Sequence, residues 1–212
     1  GNIAIDQIQK KINSKTKAIV VVHFLGIPVE MDKILEISKK NNLKVIEDCA
    51  LSLGAKYKDT HTGLLGDAGV FSFYPVKHMT TGEGGIILTK NKKLEKQLKI
   101  NRALGINKQF NDRKLPGFYD AVNLGFNYRM SEIHACIGVE QLKKINSFLK
   151  IRKQNFKFLV KMLSKNNQLS ILQSNNKFCE SSYYCCSVII NNKSIVRNKI
   201  ILKLKSKNII TS

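Results

Sequence analysis

Three features of the chain carry residue types able to do chemistry: Asp48, the segment Ser72 to Lys77, and the loop Thr80-Thr81-Gly82-Glu83-Gly84-Gly85. Taken one at a time, each has an ordinary explanation. An aspartate closing an apolar run caps a turn, a lysine in a lysine-rich chain is a solvated charge, and paired glycines make turns. Together they point to something more specific. Lys77 follows the apolar and aromatic stretch VFSFYPV, and a partly desolvated amine favours the neutral, nucleophilic form that attacks a carbonyl to make a Schiff base. Such a lysine needs an electron sink. Pyridoxal phosphate (PLP) remains one only while a carboxylate faces its ring nitrogen, and Asp48 is the candidate. The cofactor's phosphate needs short donors, which Ser72 and nearby glycine N–H groups supply.

The elements that must position these residues follow from hydropathy patterning. Lys17–Phe24 is a β-branched run ending in Gly26 and Pro28, and it predicts a strand buried on both faces. Met31–Lys40 has helical spacing with Asp32 in its first turn, and Leu43–Glu47 is a second strand with Asp48 at its carboxyl end. Strand, helix, strand in this order predicts a βαβ unit with parallel strands. Val70–Phe73 and Ile86–Thr89 are strands flanking the loop that contains Lys77. Lys92–Leu104 reads as a helix closed by Gly105, and 106–124 as a loop. Ser131 is the predicted N-cap of a long helix running to about Leu163, with Ile133, Ile137 and Leu142 toward the core. The last fifty residues predict one strand, Tyr183–Ile190, and one basic helix, Ser194–Ser206. The fold class is α/β, in which ligands sit beyond the carboxyl ends of the strands.

Composition narrows the function classes. The 212 residues are 43% hydrophobic, enough for a core and too many for a disordered chain. The apolar stretch Ala18–Val29 is interrupted by His23 and too short to span a bilayer, and GNIAIDQIQKK is no signal peptide, so the expectation is a cytoplasmic protein without membrane partners. The net charge of +21 raises nucleic acid as a partner, but the lysines are spread over the whole length without a basic arm or interleaved aromatics, so no nucleic-acid role is expected. Five cysteines form no C-x-x-C pair and have no histidine at ligand spacing, so no metal is expected. A chain that begins at Gly1 and enters a periodic segment at once reads as partial.

The runs VIEDCALSLGAKY (45–57), GDAGVFSFYPVKHMTTGEGGIILT (66–89) and NLGFNYRMSEIHACIGVEQLKKI (123–145) resemble the DegT/DnrJ/EryC1/StrS aminotransferases. So do TKAIVVVHFLGIPVEMDKI (16–34) and, more weakly, SSYYCCSVII (181–190). The resemblance implies an aspartate-aminotransferase-like fold type I, with a mixed, mostly parallel sheet and flanking helices. Residues 1–145 would be the central part of the PLP-binding large domain, and 146–212 a linking helix and the start of a small C-terminal α/β subdomain. The implied activity is PLP-dependent amination of a nucleotide-linked keto-sugar with glutamate as amino donor, in a homodimer that shares its active sites.

By the same resemblance Lys77 holds PLP as an internal aldimine and then serves as general base and acid, Asp48 pairs with the pyridine nitrogen, Ser72 binds the phosphate, and Asn127 reaches that phosphate from the neighbouring subunit. Family dehydratases carry histidine in place of the lysine, so Lys77 speaks for transamination. The chain departs from the family at Leu51, where His or Gln is usual, and at Leu104, where His is frequent. The competing readings are a non-catalytic or regulatory member and, from another class, a basic nucleic-acid-binding protein. For His78, approach to substrate and packing both stay open. Glu83 either orients the lysine loop or caps it, and Arg129 either binds an anion or supports the subunit interface. His23 is expected to be structural, and Tyr183 and Tyr184 to be packing residues.

Overall fold

The β-branched run near the start of the chain forms β1 (Ala18–Val22), the first strand of the central sheet in a computed structural model that describes residues 1–107, 115, 117–192 and 194–211. A short helix, α1 (Ile5–Lys11), precedes it, and α2 (Met31–Lys40) carries the chain to β2 (Lys44–Asp48). β1 and β2 are parallel, with Val22 beside Asp48. This is the predicted βαβ unit. The excursion β3 (Lys56–Tyr57) and β4 (Thr60–His61) leads into β5 (Ala68–Ser72), which is parallel to β2 with Asp48 beside Val70. β6 (Gly85–Leu88) returns antiparallel, with Ser72 opposite Gly85, giving the sheet order β1-β2-β5-β6.

One face of this sheet makes the core. Ile19, Val21 and Val45 pack with Met31 and Ile34 of α2 and Ile8 of α1. Truncating a fully buried residue such as Ile34 to alanine costs about 2–5 kcal/mol. The prediction that the first strand is buried on both faces is corrected here: Val20, 56% exposed, and Val22 point to the other face. A run of β-branched residues fixes an extended backbone, but it cannot distinguish a strand covered twice from one covered once.

α3 (Lys92–Asn101) is capped by Asn91, whose side-chain oxygen accepts from the N–H groups of Lys93 and Leu94 at 3.0 and 3.1 Å. It ends earlier than expected. Leu104 and Gly105 take positive φ, and the Gly105 N–H closes the helix end on the Ile100 carbonyl. Of the predicted loop 106–124, residues 108–114 and 116 lie outside the described residues.

α4 (Glu132–Leu163) starts at Ser131, which accepts from the His134 N–H, and runs 32 residues to the expected end. Its predicted core residues are a second correction, since Ile133 (74%), Ile137 and Leu142 are all exposed. The periodicity marks a real apolar stripe, but the stripe does not face the four-stranded sheet. α4 touches the rest of the molecule elsewhere. A side chain added at Gly138 would come within 3.0 Å of Thr81, and Leu149 fills the space above Gly54.

The C-terminal part divides differently from the expected single strand. β7 (Leu169–Ile171) pairs antiparallel with β9 (Val188–Ile190), while β8 (Cys179–Glu180) joins β3 in a separate sheet. Tyr183, at φ +55°, breaks the extended run between them. α5 (Arg197–Lys205) is the basic helix. Among the described residues no helix is long and apolar enough to cross a membrane.

Candidate active site

Asp48 ends β2 in a row that crosses the sheet: Val22, Asp48, Val70 and Ile87 are register partners on four adjacent strands. The three apolar members are exposed, so a half-buried carboxylate stands in an open apolar surface. One Asp48 oxygen accepts from the Ala50 N–H at 3.0 Å, and the other makes no hydrogen bond among the described residues. Ser72 ends the neighbouring strand two residues beyond Val70 and so lies on the same face as Asp48. Its Oγ accepts from the Tyr74 N–H at 3.3 Å, which leaves the hydroxyl proton without an acceptor among the described residues.

The loop from Ser72 to Gly85 is closed by its own backbone. Phe73 donates to Gly84, Thr81 donates to Phe73, and the Lys77 N–H makes a tight turn on Tyr74. His78, Met79 and Thr81 are buried anchors, so the half-buried Lys77 is presented by a fixed loop. Its amine makes no ion pair among the described residues. It lies 5.6 Å from the centroid of the Tyr184 ring. Glu83 is exposed, its backbone carbonyl accepts from Thr81 Oγ1, and its side chain makes no hydrogen bond among the described residues.

Behind Asp48, on the buried face, Glu47 and His23 form a closed node. Val29 N–H donates to His23 Nδ1 at 3.1 Å, so the ring proton is on Nε2, which donates to Glu47 at 3.0 Å. The N–H groups of Gly63, Leu65 and Gly66 complete the carboxylate at 2.7–2.8 Å. Burial pushes the Glu47 carboxyl up, but these donors outweigh it and hold it below the usual range. Cys49 lies against the same pair, and burial pushes its thiol up to about 12. The three residues cluster tightly enough to resemble a metal site, yet His23 has no free nitrogen to offer. The structural reading of His23 therefore holds. Glu47, which ties the glycine-rich turn 61–69 to the sheet, was not singled out from sequence, although a charged residue alternating onto the core face of a strand was the available signal.

Asn127 is exposed and tethered to the end of α3 rather than to the lysine loop. Its neighbours Phe126 and Tyr128 donate to the carbonyls of Asn101 and Arg102, and Asn127 itself bridges Ala103. A side chain at Gly125 would meet the Gly105 nitrogen at 1.9 Å, so only glycine allows this approach. Arg129 lines a cleft with Lys96, Arg102 and Tyr119. The structure thus brings Asp48, Ser72 and the lysine loop to the carboxyl ends of the adjacent strands β2 and β5, while the backbone around Asn127 is tied to the end of α3.

Sequence reasoning treated Tyr184 as packing and passed over Arg152. The Tyr184 ring faces Lys77 and His78 of the lysine loop, and Arg152 holds that segment by donating to the Tyr184 carbonyl at 2.9 Å. No local pattern signals a contact between segments so distant in the chain.

Residues 1–212 match the DegT/DnrJ/EryC1/StrS aminotransferase family. The chain belongs to this family. It is 35% identical over 190 residues to GDP-perosamine synthase of Escherichia coli O157:H7, covering 88% of this chain and 49% of the relative. It is 31% identical to GDP-4-keto-6-deoxy-D-mannose 3-dehydratase of Yersinia pseudotuberculosis, covering 96% of this chain and 54% of the relative. The crystal structure of the aminotransferase TlmJ from Streptoalloteichus hindustanus superposes with a TM-score of 0.90 at 25% identity, over 100% of this chain and 55% of that one. The fold is the family's fold type I, a mixed α/β arrangement about a mostly parallel sheet, and this chain spans about half the length of the relatives it matches.

Proposed function

We propose that this protein is a PLP-dependent aminotransferase that converts a nucleotide-linked keto-sugar to an amino sugar, with Lys77 as its catalytic residue. The observation that carries this reading is the unused chemical capacity at one sheet edge. The Lys77 amine has no acidic partner, Asp48 has an uncommitted carboxylate oxygen, and the Ser72 hydroxyl has a proton to donate, all among the described residues. That donor set suits PLP. The Asp48 carboxylate would hold the protonated ring nitrogen, Ser72 would donate to the phosphate, and Lys77 would attach the cofactor covalently. When bound, PLP supplies the electron sink that makes a C–H bond beside nitrogen acidic. With PLP in place, the Lys77 amine would be the group positioned to take a proton from the substrate carbon and to return one.

Glutamate is the proposed amino donor, and the proposed assembly is a cytoplasmic homodimer in which Asn127 of one copy reaches the phosphate site of the other. The exposed, outward-tethered position of Asn127 supports this arrangement. The proposal also divides the chain at 145 into large-domain and C-terminal parts. The dehydratase relative shows that the family is not uniform in chemistry, and the lysine at position 77 favours transamination.

The test is borohydride reduction of the chain with PLP, followed by mass mapping. The expected result is one adduct, on Lys77, with a visible absorption band that borohydride removes. Lys77→Ala should lose both completely, and an adduct that persists elsewhere at equal yield would overturn the assignment.

A further inference from the structure

Lys77, His78 and Arg152 gather at one point of the molecule, and no carboxylate pairs with Lys77 or Arg152 among the described residues. What faces the lysine instead is an aromatic ring. The segment Ser181–Tyr184 crosses the lysine loop as a strap fixed at several points. Ser181 Oγ and the Ser182 N–H both donate to the Gly26 carbonyl, and Ser182 Oγ donates to the Leu51 carbonyl at 2.8 Å. Two further bonds come from opposite sides. His78 Nε2 donates to the Ser182 carbonyl at 3.0 Å, and Arg152 of α4 donates to the Tyr184 carbonyl at 2.9 Å.

Between those carbonyls Tyr183 adopts φ +55° and sends its ring to Phe156, 5.3 Å away between centroids. The turn aims Tyr184 in the other direction, onto His78 at 5.6 Å and over the Lys77 amine at 5.6 Å. The face of an aromatic ring attracts a cation without forming an ion pair that must be broken before the amine can react.

We propose that Tyr184, aimed by His78 and Arg152, is a positioning residue that holds the Lys77 amine at the mouth of the site. This rests on the reading of Lys77 as the cofactor-bearing residue for its functional meaning, but the geometry is that of the chain alone. Leu51 belongs to the same device, since its carbonyl anchors the strap whatever its side chain.

The test needs no cofactor. The 212-residue chain is treated with N-hydroxysuccinimidyl acetate, and acetylation of Lys77 is followed by peptide mass spectrometry against the solvated Lys92 as internal reference. Removing the ring in Tyr184→Ala should raise the relative rate at Lys77 about two- to five-fold. His78→Ala should reproduce that rise, because it frees the strap. Tyr184→Phe, which keeps the ring face, and His78→Gln, which keeps a donor at the Nε2 position, should restore the wild-type rate. Circular dichroism of each variant identifies any that has unfolded. A folded Tyr184→Ala with an unchanged rate would overturn the proposal, as would a Tyr184→Phe that behaves like the alanine variant. Failure of PLP to attach to Lys77 in the wild-type chain would instead count against the proposed activity and leave the labelling result standing.

Discussion

Two buried histidines, His23 just after β1 and His78 in the loop that follows β5, are used in opposite ways. His23 has both nitrogens engaged, by Val29 and Glu47, and the carboxylate it serves receives three more N–H donors. Among the described residues the His78 ring has one hydrogen bond, to the Ser182 carbonyl, and its buried Nδ1 has no partner. The first is a saturated network that fixes a turn. The second is a half-satisfied group beside a lysine with unspent capacity. Buried polar groups that are fully bonded rigidify a fold, and those that are not mark places where structure was given up for something else.

The comparison predicts its own hierarchy of effects. Glu47→Ala should be the largest, because it strands four donors, those of His23 and Gly63 buried and those of Leu65 and Gly66 half-buried. A loss of about 3–5 kcal/mol is expected, read from the shift in a urea unfolding midpoint. A loss below 1 kcal/mol would mean that the node is not the anchor of the 61–69 turn.

The second effect is on pH dependence. Burial, reinforced by the positive charges of Arg152 and Lys77, lowers His78 from the ordinary 6.5 to about 4. The unfolded chain therefore binds a proton between those values while the folded chain does not. Stability from this group is complete above pH 6.5 and falls as the pH drops toward 4, by about 3 kcal/mol in all. His78→Gln should flatten the stability profile in that window, measured by thermal unfolding at a series of pH values. An unchanged slope would place the titration elsewhere. The groups facing His78 are Lys77, Arg152 and the Tyr184 ring, and none is acidic. Glu47, held below its usual range, loses its contribution only at lower pH.

The smallest effect sharpens the contrast most. Asp48 is the residue next to Glu47 in the chain but lies on the opposite face of the sheet, half exposed and with a single side-chain hydrogen bond among the described residues. Asp48→Asn should change stability by less than about 0.5 kcal/mol while weakening PLP binding at least several-fold, read by fluorescence titration. Equal losses in both would make Asp48 another structural acid.

The positions of Asp48 and Ser72 at strand ends, and of Lys77 in the loop that follows, were legible in the sequence because local runs set strand ends. The βαβ unit and the Ser131 cap were legible for the same reason. The outer face of β1 and the partner of the α4 stripe were not, since periodicity reports that an apolar side exists and is silent on what lies against it. The strap was also hidden. Nothing about Ser181–Tyr184 differs locally from an edge strand until Tyr183 turns, and that turn is held by His78 and Arg152 from elsewhere in the chain. The role proposed for Asn127 came from the family resemblance, since no local pattern in the sequence marks an exposed asparagine as reaching a second copy.

The length of α4 has a mechanical consequence. Its backbone rests on Thr81 at Gly138 and reaches the strap at Arg152. At 1.5 Å per residue those points are roughly 21 Å apart, so a tilt of about 5° about the first moves the second by about 2 Å, enough to part a hydrogen bond. In such a tilt Gly138 would act as the fulcrum and Arg152 as a point further out along the helix. A tilt caused by a push at Leu142, on the exposed stripe between those points, would therefore displace Arg152, and the strap it holds, further than Leu142 itself.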